Sequence, residues 1–535
     1  MRRSGAIAVG VVMILTLVGA AQADDGSIYS YSKRELKRWA LDNDSRNQAN
    51  GYLPSQVECR VNGRPDNLNL DCDDRVTWLP NNEPDIVVDP EDPQHMIASS
   101  NDYESCCDQF YTTFNGGRTW ITGDMSAISD QVIGSDPVTA IDPKHDVALH
   151  SSLNFAFTQE GLATNGHVVV SRSTDGGVTW QRPVIVYRGF GDDDDPVQVF
   201  NDKEWIVTDT NPDSPYYGRT YLTWSRFLAR NGNYVESPIW ESHSDDGGRT
   251  WSRAREISGS DRTCTYQEFG PALECDEDQG SVPTVAPDGT VYVAFENGQH
   301  EAAWEGDELF ESQYMVVRSR DGGRTWSDPV HVEDLEDGTN DFPLNVDERQ
   351  TLTNWQIRVP TYGNIHASPI DGTLYLTFMD NRNGRHDVAN PRTDTDVFIM
   401  TSKNGVTWRG PWPVTERNTD QWFPWVEVNP VTGEIGVTYH DRLGFATYGT
   451  AFSTGDDPRN LRRQLITDAP SHPRNSLYFQ AQVPGCFKCA TFHGDYINVA
   501  YGSDGSANLV WTDMRKFVDL GEEAGFTENI FFSRI

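Results

Sequence analysis

An eight-residue cassette keeps returning along this chain, and it constrains the fold more than any other feature. It reads "STDGGVTW" at 173–180, "SDDGGRTW" at 244–251 and "SRDGGRTW" at 319–326, with degraded copies "TFNGGRTW" at 113–120 and "SKNGVTW" at 402–408. The copies end at Trp120, Trp180, Trp251, Trp326 and Trp408, so successive tryptophans lie 60, 71, 75 and 82 residues apart. Recurrence on this scale points to repeated supersecondary units. Upstream of the cassettes lie short alternating segments such as "TYLTWSR" (220–226), "VYVAFENG" (291–298) and "LYLTFMDNR" (374–382). Further upstream is a second recurring kind: "PDIVVDP" (84–90), "PVTAIDP" (137–143), "WIVTDTNP" (205–212) and "WVEVNP" (425–430). Runs of this type bounded by Gly, Pro, Asn and Asp are strands. The unit is therefore strand, turn, strand, loop, strand, cassette, strand, which is a four-stranded antiparallel propeller blade.

The template places blades near 83–130, 131–192, 200–260, 277–335, 355–418 and 419–470. A seventh starts with "DYINVAYGSDGSANLVWTDMR" (495–515) and ends at its third strand in "NIFFSRI" (529–535). The expected fold is an all-β propeller of seven blades, or six if the last two partial repeats merge. A closed ring needs the missing outer strand, and "RVTWLP" (75–80) is the expected donor. Before it, "SKRELKRWALDN" has Ser32 and Glu35 in capping-box spacing, which predicts a short helix packed on the rim together with a disulfide-tied hairpin.

Each residue type in the cassette has a folding role. Gly takes backbone angles with positive φ, Ser and Asp accept turn N–H groups, and Trp supplies an apolar anchor. A catalytic role for Asp175, Asp246 and Asp321 would need them to converge, whereas blades set them apart around a ring. The chemistry is expected at the channel mouth, at the entries to first strands and after second strands. Glu83, Asp136, Asp202 with Lys203, Asp278, Arg358, Asp420, and His493 with Asp495 stand at the entries. Arg226, Glu296, Asp380 with Arg382, His440-Asp441-Arg442, and Asp513 with Arg515 follow second strands. No elbow of the G-x-S-x-G kind, zinc-protease helix or phosphate-cradling loop is present.

The first residues, "MRRSGAIAVGVVMILTLVGAAQADDGS", combine a basic start, an apolar run and a small-residue cleavage site at Ala21-Gln22-Ala23, a signal peptide cut before Asp24. The mature chain is thus expected to be exported, secreted or periplasmic, monomeric, and without a membrane span. Acidic residues exceed basic ones by 37, which disfavours nucleic acid as a partner because such binding needs a positive face. Eight cysteines in an oxidising compartment are read as disulfides. Cys59 pairs with Cys72 and Cys264 with Cys275 across short loops. Cys106 and Cys107, Cys486 and Cys489 form either a vicinal pair plus a CxxC pair or two bridges between the segments. Zinc at "CFKCATFH" lacks a fourth ligand beyond His493. No organic cofactor is expected. A structural calcium is possible at "GDDDDP", where Asp192, Asp193, Asp194 and Asp195 offer hard oxygen ligands.

The S/T-x-D-x-G-x-T-W cassettes in this β-rich chain resemble the Asp-boxes, or bacterial neuraminidase repeats, of the sialidase superfamily, over roughly residues 83–535. The resemblance implies a propeller with its boxes on the face away from the active site. It also implies an exo-glycosidase releasing terminal acidic sugars such as sialic acid from glycans. "IRVP" (357–360) resembles the family's arginine motif, making Arg358 the ligand of the sugar carboxylate and Asp387 the acid/base. Arg442 and Arg515 match the later arginines of the family's triad, Arg382 is a further substrate-binding candidate, and Tyr496 matches its tyrosine nucleophile. No glutamate is assigned to activate that tyrosine. Two departures stand against the match: Arg358 follows four boxes instead of preceding them, and the blade count is seven. Asp-boxes also occur in propellers that are not sialidases. Two rival readings therefore remain: a non-catalytic glycan- or protein-binding propeller with its arginines neutralised by Asp441, Asp513 and Asp380, or another polysaccharide hydrolase or lyase using His440, His493 or Tyr496.

Overall fold

A computed structural model describes residues 67–71 and 79–535, apart from 106, 130–131, 158–162, 192–194, 267–269, 301–310, 339, 388, 416, 520 and 522–523. The predicted signal peptide, rim helix, Cys59, Cys72 and Cys106 lie outside the described residues.

Seven antiparallel blade sheets follow one another along the chain, six of them closed within their own segment, and a separate two-stranded hairpin, Gln480–Val483 with Cys486–Ala490, precedes the last. The six span 81–124, 133–187, 197–256, 278–334, 365–413 and 421–465, each running from an innermost to an outermost strand. The seventh sheet takes its inner three strands from 498–534 and its outermost from Leu68–Asn69, which pairs with Phe532 and Phe531. The chain is a seven-bladed β-propeller closed by an N-terminal strand, and no helix occurs among the described residues. The donor differs from the expected one: Leu68–Asn69 closes the ring, while Leu79 and Pro80 lie outside any strand and residues 72–78 are not described. Leu70, fully buried, joins Ile86, Trp120, Val510, Ile530 and Phe532 in one apolar cluster that welds the last blade to the first. Burying a leucine of this kind is worth about 1.5–3 kcal/mol, which lets a two-residue strand hold a ring shut.

The cassettes sit between the third and fourth strands, where they act as clasps. In the second blade the Ser173 hydroxyl accepts the Gly177 N–H at 2.9 Å. Asp175 takes the Thr179 N–H at 2.9 Å and its hydroxyl at 2.6 Å. The same set recurs at Ser244, Asp246 and Thr250, and at Ser319, Asp321 and Thr325. These hydrogen bonds hold the cassette aspartates below the usual carboxylate range despite the opposing effect of partial burial. Where a cassette keeps both glycines, the second faces the preceding blade. A Cβ on Gly177 would lie 2.6 Å from Ile97, on Gly248 2.7 Å from Leu149, and on Gly117 2.3 Å from Phe532. The cassette therefore closes its own blade and seats it on its neighbour.

Two disulfides are described in full, Cys264–Cys275 and Cys486–Cys489. The second excludes bridges from Cys486 and Cys489 to Cys106 and Cys107, and it removes both sulfurs as zinc ligands. Cys107 is also disulfide-bonded.

Candidate functional site

In five blades the innermost strand breaks register once, between Asn82 and Asp85, Ser135 and Val138, Asp202 and Trp205, Gln279 and Val282, and Trp422 and Trp425. Inside each break one residue has a positive φ: Glu83 at 56°, Asp136 at 58°, Lys203 at 52°, Gly280 at 64° and Phe423 at 55°. Proline follows Glu83, Asp136 and Phe423, and it disfavours the right-handed helical region for the residue before it while removing a ladder N–H. A non-glycine residue in the left-handed region costs about 1–3 kcal/mol, and such strain concentrates where side chains must be aimed. Here it aims Glu83, Asp136 and Lys203 into a single cleft.

That cleft is completed by Asp202, Arg358, Tyr362, Phe492 and Asp495. Arg358 grips both oxygens of Asp495, with Nε to Oδ1 at 2.9 Å, and its guanidinium lies 4.5 Å from the Phe492 ring centre. The Asp495 N–H donates to Glu83 Oε1 at 3.1 Å, and Asn101 donates to Glu83 Oε2 at 2.6 Å. Ser135 donates to Asp136 at 2.6 Å. The cleft floor encloses about 30 Å³, room for a single small polar group.

The charges are strongly coupled. Burial, reinforced by Asp136 and Asp495, pushes the Glu83 carboxyl well above the usual range. Burial and Asp136 do the same to Asp202. Burial lowers Lys203, with four acids opposing the shift. Arg358 is buried, which works against its charge, yet Asp495 and Glu83 beside it keep the guanidinium protonated. Arg349 is brought down to about 10 by burial and by the neighbouring charge of Arg358.

The cleft opens away from the cassettes. The turn that follows the first strand of the first blade touches them at the other end, with His95 Nε2 2.9 Å from the Gly176 carbonyl and the Gly116 N–H donating to the Gln94 carbonyl. Below the cleft, Trp205 and Trp425 meet across the axis at 4.5 Å between ring centres, with Tyr496 edge-on to Trp205 at 5.2 Å. Lys203 Nζ caps the Tyr496 ring at 3.7 Å. Beyond this plug the channel widens to about 480 Å³, lined by the innermost strands of all seven blades. Its titratable groups include Asp85, raised to about 6 by burial, Glu427, raised to about 8 by burial, and His366, lowered to about 4 by burial.

The structure disperses the other sequence-derived candidates. Arg442 donates to Asp420 at 2.6 Å and lies 4.6 Å from the Trp355 ring. Arg515 is held by Asp513 and Asp468, and Arg382 by Asp380 and Glu333. None of the three lines the cleft. Asp387 is 45% exposed and accepts the Ala389 N–H on its own loop. Tyr496 is buried, and burial together with Glu83, Asp136 and Glu204 pushes its phenol well up. His440 and His493 are buried against Trp422 and Tyr448. The Trp422 indole donates to His493 Nε2 at 3.3 Å, and burial lowers His493 to about 3 and His440 well below its usual value. Asp195 is exposed, while Asp192, Asp193 and Asp194 lie outside the described residues.

Two features were not foreseen. Arg358 does not enter a first strand. The innermost strand of the fifth blade is Ile365–Ala367, and Arg358 lies in the connection 335–364, where its N–H reaches the Thr491 carbonyl beside the seventh blade. Arg349 and Tyr362 come from the same connection, and the signal for them is its length, since long irregular loops in compact domains are most often functional.

No protein-family model and no curated protein sequence matches the chain. Solved structures do. The intramolecular trans-sialidase from Ruminococcus gnavus is 12% identical, with 67% of this chain and 89% of that one covered at a TM-score of 0.38. The GH93 alpha-L-arabinofuranosidase of Fusarium graminearum is 11% identical over 72% and 91% of the two chains, with a TM-score of 0.40. A PL25 ulvan lyase is 10% identical over 84% and 94%, with a TM-score of 0.45. Sialidases, the family that the cassettes resemble, are thus among the structures to which the chain is similar.

Proposed function

We propose that the protein is an exported, glycan-acting propeller enzyme, a glycoside hydrolase that releases terminal acidic sugars at the channel mouth opposite the cassettes. The observation that carries this reading is the cleft itself, where a guanidinium group and two carboxyl groups whose proton affinity burial raises face one small space. Glycoside hydrolysis needs a carboxyl group that is protonated near neutrality to donate to the leaving oxygen, with a second carboxylate to work from the other side. Glu83 and Asp202 are the acid candidates. Asp136 and Asp495, tied to Ser135 and Arg358, supply the opposing carboxylate face. Arg358, with Arg349 beside it, supplies the positive charge that would attract the sugar's own carboxylate. Tyr496, the nucleophile implied by the sialidase resemblance, lies beneath Lys203, and one of the nearby acids must take its proton for that role.

The experiment is a turnover assay of the mature chain on fluorogenic sialosides and uronides. Arabinofuranosides and a readout for unsaturated lyase products belong in the same panel. Glu83→Gln or Asp202→Asn is expected to lower kcat by roughly 10²–10⁴-fold, the range for loss of general acid–base catalysis. Absence of turnover on every acidic glycoside would sink the hydrolase reading, and turnover indifferent to both substitutions would sink the site. One observation favours a second reading, a non-catalytic glycan- or protein-binding propeller: Arg358, Arg382, Arg442 and Arg515 are each closed by a carboxylate. That reading predicts retention on immobilised acidic glycan without turnover.

A further inference from the structure

A cluster outside the cleft carries a different chemistry. His386 Nδ1 lies 2.9 Å from Asp341 Oδ1 and 3.3 Å from Glu336 Oε2. One ligand atom from each residue falls within 4.8 Å of the others. Asp341 is fully buried and Glu336 nearly so, and buried carboxylates persist only against positive charge.

The second nitrogen of the ring decides what belongs between them. His386 Nε2 lies 2.9 Å from the Asn381 carbonyl oxygen, which can only accept, so Nε2 carries the proton. In the neutral ring Nδ1 then presents a lone pair to two carboxylate oxygens, and three acceptors face one point. A cation at that point would be within reach of all three. A ring N–H given to a backbone carbonyl is also the usual support of a metal-ligating histidine, because it fixes the tautomer and orients the lone pair. The carboxylates are oriented in the same way. Asp341 Oδ2 is taken by the Gly338 N–H at 2.8 Å, which leaves Oδ1 turned toward His386. The Asn381 side chain donates to the Asp341 carbonyl at 2.5 Å, and the Asn381 N–H donates to the Glu336 carbonyl at 3.1 Å. One asparagine thus positions all three.

We propose that Glu336, Asp341 and His386 form a divalent-metal site suited to Zn²⁺, tying the 335–364 connection to the loop after the second strand of the fifth blade. Ligands about 2.0–2.1 Å from a tetrahedral zinc stand about 3.3 Å apart, close to the two separations from Nδ1. One imidazole nitrogen with two carboxylate oxygens suits zinc better than calcium, which takes six to eight oxygens. The metal pins the connection that delivers Arg358 and Tyr362 to the cleft.

The test uses the full mature chain, purified without chelator or reductant so that Cys486–Cys489 stays closed. Elemental analysis should find about one zinc per chain in the wild type and at least tenfold less in His386→Gln and Glu336→Gln. Chelation should lower the wild-type Tm, ZnCl₂ should restore it, and the variants should respond to neither. If the variants fail to fold, Co²⁺ titration of the chelated wild type decides, with the visible bands of a tetrahedral N/O site expected at one equivalent. A wild type that holds no metal, gives no Co²⁺ bands and melts independently of chelator would overturn the proposal and leave a second proton on His386 as the bridge. Zinc unchanged in both variants would also overturn it.

Discussion

Arg358 and Asp495 share two hydrogen bonds in a buried setting, and each charge depends on the other. Arg358→Ala is expected to destabilise the protein by about 3–5 kcal/mol, because it strands a buried carboxylate, whereas Arg358→Met with Asp495→Leu should recover most of that loss. Urea denaturation of the two variants against wild type measures this. The same residues indicate what was legible before the fold was known. Glu83, Asp136, Asp202, Lys203, Arg358 and Asp495 are all readable as polar groups at the channel mouth, and they line one cleft. Arg349, Tyr362 and Phe492 escape notice because irregular chain has no period to betray which side chains turn inward. The arginine partners are only half legible. Arg382 does pair with Asp380 and Arg515 with Asp513, two residues apart on one side of the chain. Arg442 cannot pair with Asp441, since neighbours in the strand Ile435–Gly444 point to opposite faces. It reaches Asp420 instead, while Asp441 takes Arg463.

Blades were the most legible elements because each cassette marks a third-to-fourth strand turn, and the predicted spans fall within a few residues of the sheets in most blades. The exception is the fifth, where Arg358 was placed at a strand entry. Its short innermost strand, Ile365–Ala367, lacks the alternation that exposes longer ones. The cassettes' second role, seating one blade on the next, predicts a contrast between two glycines. Gly248 (φ 73°) and Gly232 (φ 75°) share a left-handed backbone. A Cβ on Gly248 meets Leu149 at 2.7 Å, and one on Gly232 meets nothing within 4 Å. Gly232→Ala should cost about 1–2 kcal/mol of backbone strain, and Gly248→Ala about 1–3 kcal/mol more for overpacking between blades. Thermal melts compare them. Equal losses would mean that the cassette acts within its own blade alone.

Across the whole molecule, closure by the chain's N-terminal side was foreseeable from a seventh repeat that lacks a strand. The donor was not, because Leu68–Asn69 is too short to carry a pattern. Acids in the channel and between blades set the pH response. Burial raises Asp85 to about 6, Glu296 and Asp396 to about 7 and Glu427 to about 8. A raised acid holds its proton more tightly folded than unfolded, so its stabilisation is complete below the unfolded pKa and is lost as pH rises through these values. Burial lowers His366 to about 4 and His493 to about 3. Their contribution is present above the unfolded histidine pKa and is lost as pH falls toward those values. Four raised acids outweigh two lowered histidines, so Tm should decline as pH rises from about 5 to 8. Glu427→Gln should flatten the alkaline limb, and a Tm still rising from pH 6 to 9 would contradict the assignment. The face opposite the cassettes is the claim on which the functional account rests. It is tested most directly by kcat on a fluorogenic terminal acidic glycoside, wild type against folded Glu83→Gln. The account predicts turnover by the wild type and a loss of at least about a hundredfold in the variant. Equal rates in the two proteins, or none in either, would contradict it.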